Sequence, residues 1–205
     1  MIAALTALRQ AEGWMSPSQM DREIAGMCAG QPEALGALVE RYQQRLYRYL
    51  LRIVREPATA EDLFQQTWMR VARNAHRYNP RRSFDAWLFS IARNLAIDYL
   101  RRTQPLSLDE PLESGETAAS LLPARAPGAL DALLERESAQ RVAQCLEELP
   151  VAYREVLTLR FEEEMQLNEI AELLERPLST VKTRLGRGLV ALRRKLEARD
   201  AEDLR

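Results

Sequence analysis

Little in this 205-residue chain suits metal or redox chemistry. It has one histidine, His76, and two cysteines, Cys28 and Cys145, far apart and without CxxC spacing. A disulfide framework and a zinc site are both excluded, and the two thiols fit a reducing cytoplasm. A single imidazole also removes most histidine-based catalysis from consideration. No run approaches the roughly 18 consecutive apolar residues of a membrane span. Met1–Trp14 is mildly apolar, but it has one positive charge and no small-residue cleavage site, so it does not read as a signal peptide. Gly-rich phosphate loops and paired carboxylates in a polar pocket pattern are missing as well, which argues against an enzyme such as a nuclease. No cofactor and no metal are expected. Lysine is scarce: of 29 basic residues only Lys182 and Lys195 are not arginine. Arginine forks suit phosphates and base edges, although a biased genomic base composition yields the same excess.

What is present is enough for a core. Hydrophobic residues make up 46% and charged ones 29%, ordinary for a soluble globular chain of one large domain or two small ones. The formal net charge of −1 hides a segregation. Residues 81–102 hold 5 basic and 2 acidic groups, 103–175 hold 5 and 16, and 176–199 hold 8 and 1. Two short basic blocks flanking an acidic middle point to two separate anionic contacts. Taken singly, each block fits a solvated helix face equally well.

The chain divides at residues 103–130, a linker where Pro105, Pro111, Pro123 and Pro127 gather with Gly115 and Gly128. An N-terminal unit spans 20–102 and a C-terminal unit 131–199, with an N-terminal extension over 1–19 and a tail over 200–205. Val and Ile are sparse and no alternating pattern runs far, so both units read as helical. The expected fold class is all-α: two small helical domains on a flexible linker. In 33–55, Leu35, Leu38, Val39, Tyr42, Leu46, Tyr49 and Ile53 follow three-and-four spacing, and Pro57 ends that helix. Thr59 is the expected cap of the next helix, with Glu61 and Asp62 in its first turn and Leu63, Thr67, Val71 and Ala75 along its buried stripe. After Asn79-Pro80, Ser83 caps a third helix that runs to Arg102, with Phe84, Leu88, Ile91 and Leu95 as core. Trp87, Asn94, Asp98 and Arg101 share another face of it, beside Arg93 and Arg102. An aromatic plate, an amide and guanidinium groups suit unstacked bases on a phosphate backbone. The same spacing also fits a core tryptophan next to merely wet polar residues.

The C-terminal unit carries the sharper signal. Pro150 opens a helix with Val151, Val156, Leu157 and Leu159. After Glu162-Glu163-Glu164 comes a second with Ile170, Ala171, Leu173 and Leu174. A break at Arg176-Pro177 precedes a third, beginning Ser179-Thr180-Val181-Lys182-Thr183-Arg184-Leu185. This is helix, short turn, basic helix, the helix-turn-helix design that sets a recognition helix in the major groove. Small Ala171 lets the helices cross, Val181 and Leu185 are the packing knobs, and Lys182, Arg184 and Arg187 are expected outward. An ordinary helical hairpin with a basic face is the plainer alternative.

Four passages together resemble an extracytoplasmic-function sigma factor, the smallest class of bacterial promoter-specificity subunit: Ala34–Tyr42, Ala60–Trp68, Phe84–Asn94 and Leu149–Arg187. They cover both units in the family's order. The resemblance implies partners: core RNA polymerase, promoter DNA and an anti-sigma protein. It implies that the helix with Asp62, Gln65 and Gln66 docks on the polymerase clamp, and that Asn94 helps capture a flipped −10 base with Trp87 near the melted strand. Arg93, Asp98, Arg101 and Arg102 would flank that strand. Ser179, Thr180, Lys182, Thr183, Arg184 and Arg187 would lie on the helix that reads the −35 element, and the acidic linker would run toward the RNA-exit region. Three positions depart from the family pattern: Glu164 where glycine is frequent, Gln166 where a capping serine is frequent, and Gly186 where a larger residue is frequent. Residues 1–19 lie outside the pattern, and Met20 is an alternative start. A two-domain regulator that senses a ligand and dimerises on a palindrome is the competing reading.

Overall fold

The structure is a computed structural model; it describes residues 17–80, 82–103 and 139–203. These fall into two compact units, one built mainly from residues 17–103 and one mainly from 139–203. All regular structure among the described residues is helical. The expectations for the linker and for residues 1–16 lie outside the described residues.

The N-terminal unit holds four helices where the sequence suggested three. They are α1 (Pro17–Cys28), α2 (Pro32–Val54), α3 (Pro57–Asn74), extended by a 3-10 turn at Ala75–Arg77, and α4 (Phe84–Thr103). Pro17–Gln19, read as part of the extension, belong to α1. An ion pair between Arg41 and Glu23 at 3.0 Å ties α1 to α2. The turn between α2 and α3 differs from expectation. α2 stops because Arg55 enters the left-handed region at φ 62°, its N–H donating to the Leu51 carbonyl. Pro57 then starts α3 instead of ending α2, and the cap is Glu56, whose carboxylate accepts from the N–H groups of Ala58 and Thr59. The Thr59 hydroxyl also donates to Glu56. Thr59, Glu61 and Asp62 therefore sit one turn later in the helix than the sequence implied. Proline at the first helical position has a fixed φ and no N–H to satisfy, which is why the boundary moves upstream.

α4 is the centre of this unit. Besides Phe84, Leu88 and Leu95, it buries Phe89, Ala92, Ala96, Ile97 and Leu100, whereas Ile91 is only half-buried. A single amphipathic stripe underestimated it because helices α2 and α3 both pack on it. Thr67 is fully buried on α3 and is satisfied locally, its hydroxyl donating to the Leu63 carbonyl at 2.7 Å.

The C-terminal unit comprises α5 (described over 139–147), α6 (Val151–Leu157), a π-helical turn at Thr158–Glu162, α7 (Leu167–Leu174) and α8 (Leu178–Asp203). Its core is aliphatic: Val142, Cys145, Leu146, Leu149, Leu157 and Leu192, with Leu185, Leu189 and Leu196 packed at the edge. Arg154 is nearly fully buried and closes the end of α5, its Nη1 donating to the carbonyls of Glu147 and Leu149 at 2.6 and 3.0 Å. Glu155, Glu162 and Glu163 are buried too. The acidic stretch between the two helices is therefore partly interior.

A candidate two-faced nucleic-acid interface

α4 is held so that one face stays outside. Ser83 caps it, its carbonyl accepting from the Trp87 N–H and its hydroxyl from Ala86 at 3.4 Å. Asp85 in the first turn takes a hydrogen bond from the Tyr42 hydroxyl at 2.9 Å and pairs with Arg45 at 2.7 Å. Arg45 also lies over the rings of Tyr42 and Phe89. Burial, with the Asp85 charge, pushes the Tyr42 phenol far up, so it remains a neutral donor. A buried neutral donor and a largely buried guanidinium thus fix the start of α4 against α2.

Trp87 lies between the two readings of its spacing. It is half-buried, with its ring 5.1 Å from Tyr78 and 5.8 Å from Phe84, and Phe84 in turn meets Tyr42 at 5.4 Å. The plate is braced by these two rings and is not fully buried. Tyr78 is itself pinned, its hydroxyl donating to the Arg82 carbonyl at 2.6 Å. Further along the helix, Asn94, Asp98, Arg101 and Arg102 are exposed and Arg93 is half-buried. From Trp87 to Arg101 the face runs about 21 Å at the rise of an α-helix. The two terminal arginines occupy the last turn, where the helix dipole favours cations.

α3 shows a third surface. Asp62, Gln65 and Gln66 are exposed, and the sequence reading missed their neighbour Met69, 51% exposed one turn beyond Gln65 and Gln66. The i+7 spacing from Asp62 was its available signal. Arg70, Arg73 and Arg77 are exposed along the end of the same helix and its 3-10 extension.

The second basic face is on α8. Between α6 and α7 the chain turns at Glu164 with φ 53°, so a glutamate occupies the left-handed position that glycine would fill more easily. Gln166 immediately precedes α7, and the missing serine cap is replaced from the other side: Glu169 reaches back to accept from the Gln166 N–H at 2.8 Å, half of a capping box. α7 then ends in a Schellman turn, with Arg176 N–H on the Ala171 carbonyl, Glu175 N–H on that of Glu172, and Glu175 at φ 53°. Pro177 follows and its carbonyl accepts from Thr180 and Val181, launching α8.

On α8, Val181, Gly188 and Leu192 form the buried side. Ser179, Lys182 and Thr183 are exposed, and the Thr183 hydroxyl folds back onto the Ser179 carbonyl at 2.9 Å. Thr180, Arg184 and Arg187 are half-buried. The expectation that Arg184 points outward like Lys182 is thus corrected: at about 100° per residue Arg184 falls beside the buried stripe, whereas Arg187 falls about as far from it as Lys182 does. The small residue that admits a close helix crossing is Gly188, where a Cβ would come 3.2 Å from Leu157 and 3.3 Å from Tyr153. The far half of α8 is clamped to the turn after α5 by Lys195 and Arg199 on Glu148, at 2.7 and 2.6 Å.

Among the described residues no group of three or more His, Cys, Asp or Glu side chains is placed to hold a metal ion. No helix among them is long and apolar enough to cross a membrane.

These surfaces coincide with known sequence families. Sigma-70 region 2 matches residues 38–105, and Sigma-70, region 4 matches residues 139–192. The chain is 34% identical over 178 residues to the ECF RNA polymerase sigma factor SigW of Bacillus subtilis, covering 85% of this chain and 95% of that protein. Its fold is similar to CnrH in the complex of CnrH with the cytosolic domain of CnrY, with a TM-score of 0.63 and 25% identity over 88% of this chain and 98% of that one. A fold likeness alone links it to the sigma factor RpoE in complex with the anti-sigma factor NepR from Bartonella quintana, at TM-score 0.58 and 22% identity, over 79% and 96% of the two chains. With both family regions in order along one helical chain, this protein belongs to the ECF RNA polymerase sigma factors.

Proposed function

We propose that this sigma factor takes the −10 element as an unpaired strand on the outer face of α4 and reads the −35 element as duplex with the first turns of α8. The observation that carries the first half is the Trp87 plate, half-exposed and backed by Tyr78 and Phe84. A braced ring loses little freedom when a base stacks on it, and such stacking is worth about 1–3 kcal/mol per base. Asn94, one face-length beyond, offers a donor and an acceptor to the edge of a flipped base, while Arg93, Arg101 and Arg102 follow the phosphates and Asp98 borders them. Capturing unstacked bases offsets an unpairing cost of a few kcal/mol, so the duplex opens without a catalytic group. In this reading the chain is not an enzyme.

For the −35 element, Ser179, Lys182 and Thr183 meet the groove directly, with Thr180, Arg184 and Arg187 reaching from its flanks. Asp62, Gln65 and Gln66 form the docking face for core RNA polymerase, with Met69 as its apolar anchor. The working place is the cytoplasm, where polymerase and chromosome are. An anti-sigma protein is the expected regulator, since the similarly folded RpoE is held by one.

Run-off transcription with and without core polymerase tests the reading. Promoter-specific transcripts are expected only with core enzyme and this chain together; specific initiation without core, or a stable dimer that ignores polymerase, would overturn it. Co-purification with core polymerase is the companion measurement, and Met69→Glu should reduce it several-fold.

A further inference from the structure

Two glycines interrupt the recognition helix, and packing explains only one. A Cβ on Gly188 would press on Leu157 and Tyr153 of α6, so glycine there permits the crossing. Gly186 has nothing within 4 Å of the place its Cβ would occupy, and its φ is not positive. Neither a turn nor a neighbour calls for glycine. It nevertheless weakens the helix relative to alanine. Its position on the helix is informative. It stands one turn beyond Lys182 and Thr183 and two beyond Ser179, on the side away from Val181, Gly188 and Leu192.

We propose that Gly186 is a specificity-determining residue of the −35 contact that works by having no side chain. A major groove about 12 Å wide barely exceeds a helix of about 10–12 Å with its side chains. A residue in the middle of the outward face therefore limits how deep the helix can sit. With no Cβ at 186 the backbone comes into van der Waals contact with a base edge, and Lys182 and Thr183 on either side reach bases instead of stopping at phosphates. This inference rests on the reading of α8 as the −35 helix.

The test uses the full chain assembled with core RNA polymerase and promoter duplexes that the wild-type holoenzyme selects from a randomised library. Gly36→Ala is the control, because Gly36 is an exposed glycine of α2 that also has open space around its Cβ position. Both Gly36→Ala and Gly186→Ala should raise the thermal midpoint by a few degrees. Gly186→Ala should nevertheless bind the selected duplexes about fivefold more weakly, and Gly186→Leu more weakly still, with the loss confined to one or two adjacent −35 base pairs. Gly36→Ala should bind as wild type. If Gly186→Ala is stabilised and keeps its affinity while Lys182→Ala loses it, the glycine inference is wrong and the −35 reading stands. If neither substitution changes −35 binding, both fall. A lowered midpoint for Gly186→Ala would overturn the premise that only DNA opposes a side chain there.

Discussion

The two units are built from different materials. The N-terminal one is held by rings: Tyr42, Phe84, Tyr78 and Trp87 form a continuous edge-to-face and tilted chain, with Tyr49 on Phe89 beside it at 5.1 Å. The C-terminal one has only Tyr153 and Phe161 among its described residues. It packs aliphatic side chains around a buried arginine and near buried glutamates. The difference matches the two proposed tasks. Holding a melted strand needs a plate whose polar edge and apolar body are both fixed, which aromatic clusters supply. Reading an intact groove needs a straight, exposed helix on a narrow support, which aliphatic knobs and a close glycine crossing supply.

The largest expected effects break each unit at its own keystone. Phe84→Ala removes the ring shared by Tyr42, Tyr78 and Trp87 and should cost about 3–5 kcal/mol. Arg154→Ala strands the carbonyls of Glu147 and Leu149 and removes a buried charge, costing about 3 kcal/mol or more. Urea unfolding of the full chain, followed by hydrogen exchange in each unit, should place each loss in one unit and leave the other. A loss spread equally over both would mean that the two do not fold independently.

Next come the DNA faces. Asn94→Ala should lower promoter opening by about tenfold with a smaller change in closed-complex binding, and Arg184→Ala should weaken −35 binding by several-fold without a specific opening defect. Permanganate footprinting and gel shifts separate the steps. Equal effects on both steps would erase the distinction between the faces. Because Arg184 is half-buried, Lys182→Ala should exceed it in −35 binding.

Smaller effects test the turns. Arg55 and Glu175 hold left-handed backbone without being glycine. Glu175→Gly should stabilise the C-terminal unit by up to about 1 kcal/mol, less what glycine adds to the freedom of the unfolded chain, and Arg55→Gly should do the same for the N-terminal one. The smallest effect is a pH dependence present in both units. Hydrogen bonds from Thr59 hold the Glu56 carboxyl below its ordinary value of 4.5, and a hydrogen bond from Lys195 does the same for Glu148. A carboxyl with a depressed folded pKa stabilises fully above its unfolded value, and that contribution is lost as pH falls through the folded one. The thermal midpoints of Glu56→Gln and Glu148→Gln should therefore lie below wild type near neutrality and converge on it as pH falls through the depressed folded values.

Much of this was legible along the chain. Three-and-four spacing gives α2, α3, α7 and α8, and Ser83 marks the start of α4. The helix-turn-helix and the order of the four passages identify the family. Local patterns suffice there because helix periodicity and caps depend on residues within a turn or two of each other. The same locality explains the misses. Glu56 displaced Thr59 as cap because Pro57 moved the first turn. The burial of Glu162 and Glu163 was not legible because sequence gives charge but not depth. Arg184 and Lys182 looked equivalent until the packing of Val181, Gly188 and Leu192 fixed which way α8 turns.

The sequence by itself determined an all-helical chain of two units, the positions of its basic blocks and the family to which it belongs. Tertiary structure alone decided that Trp87 is half-buried against two rings, that part of the acidic middle is interior, and that Gly186 has open space where a Cβ would stand. Those facts depend on which residues distant in the chain meet: Tyr78 and Phe84 against Trp87, α5 and α6 around Arg154, and Leu157 against Gly188. Burial and exposure are properties of such meetings, and no window of neighbouring residues contains them.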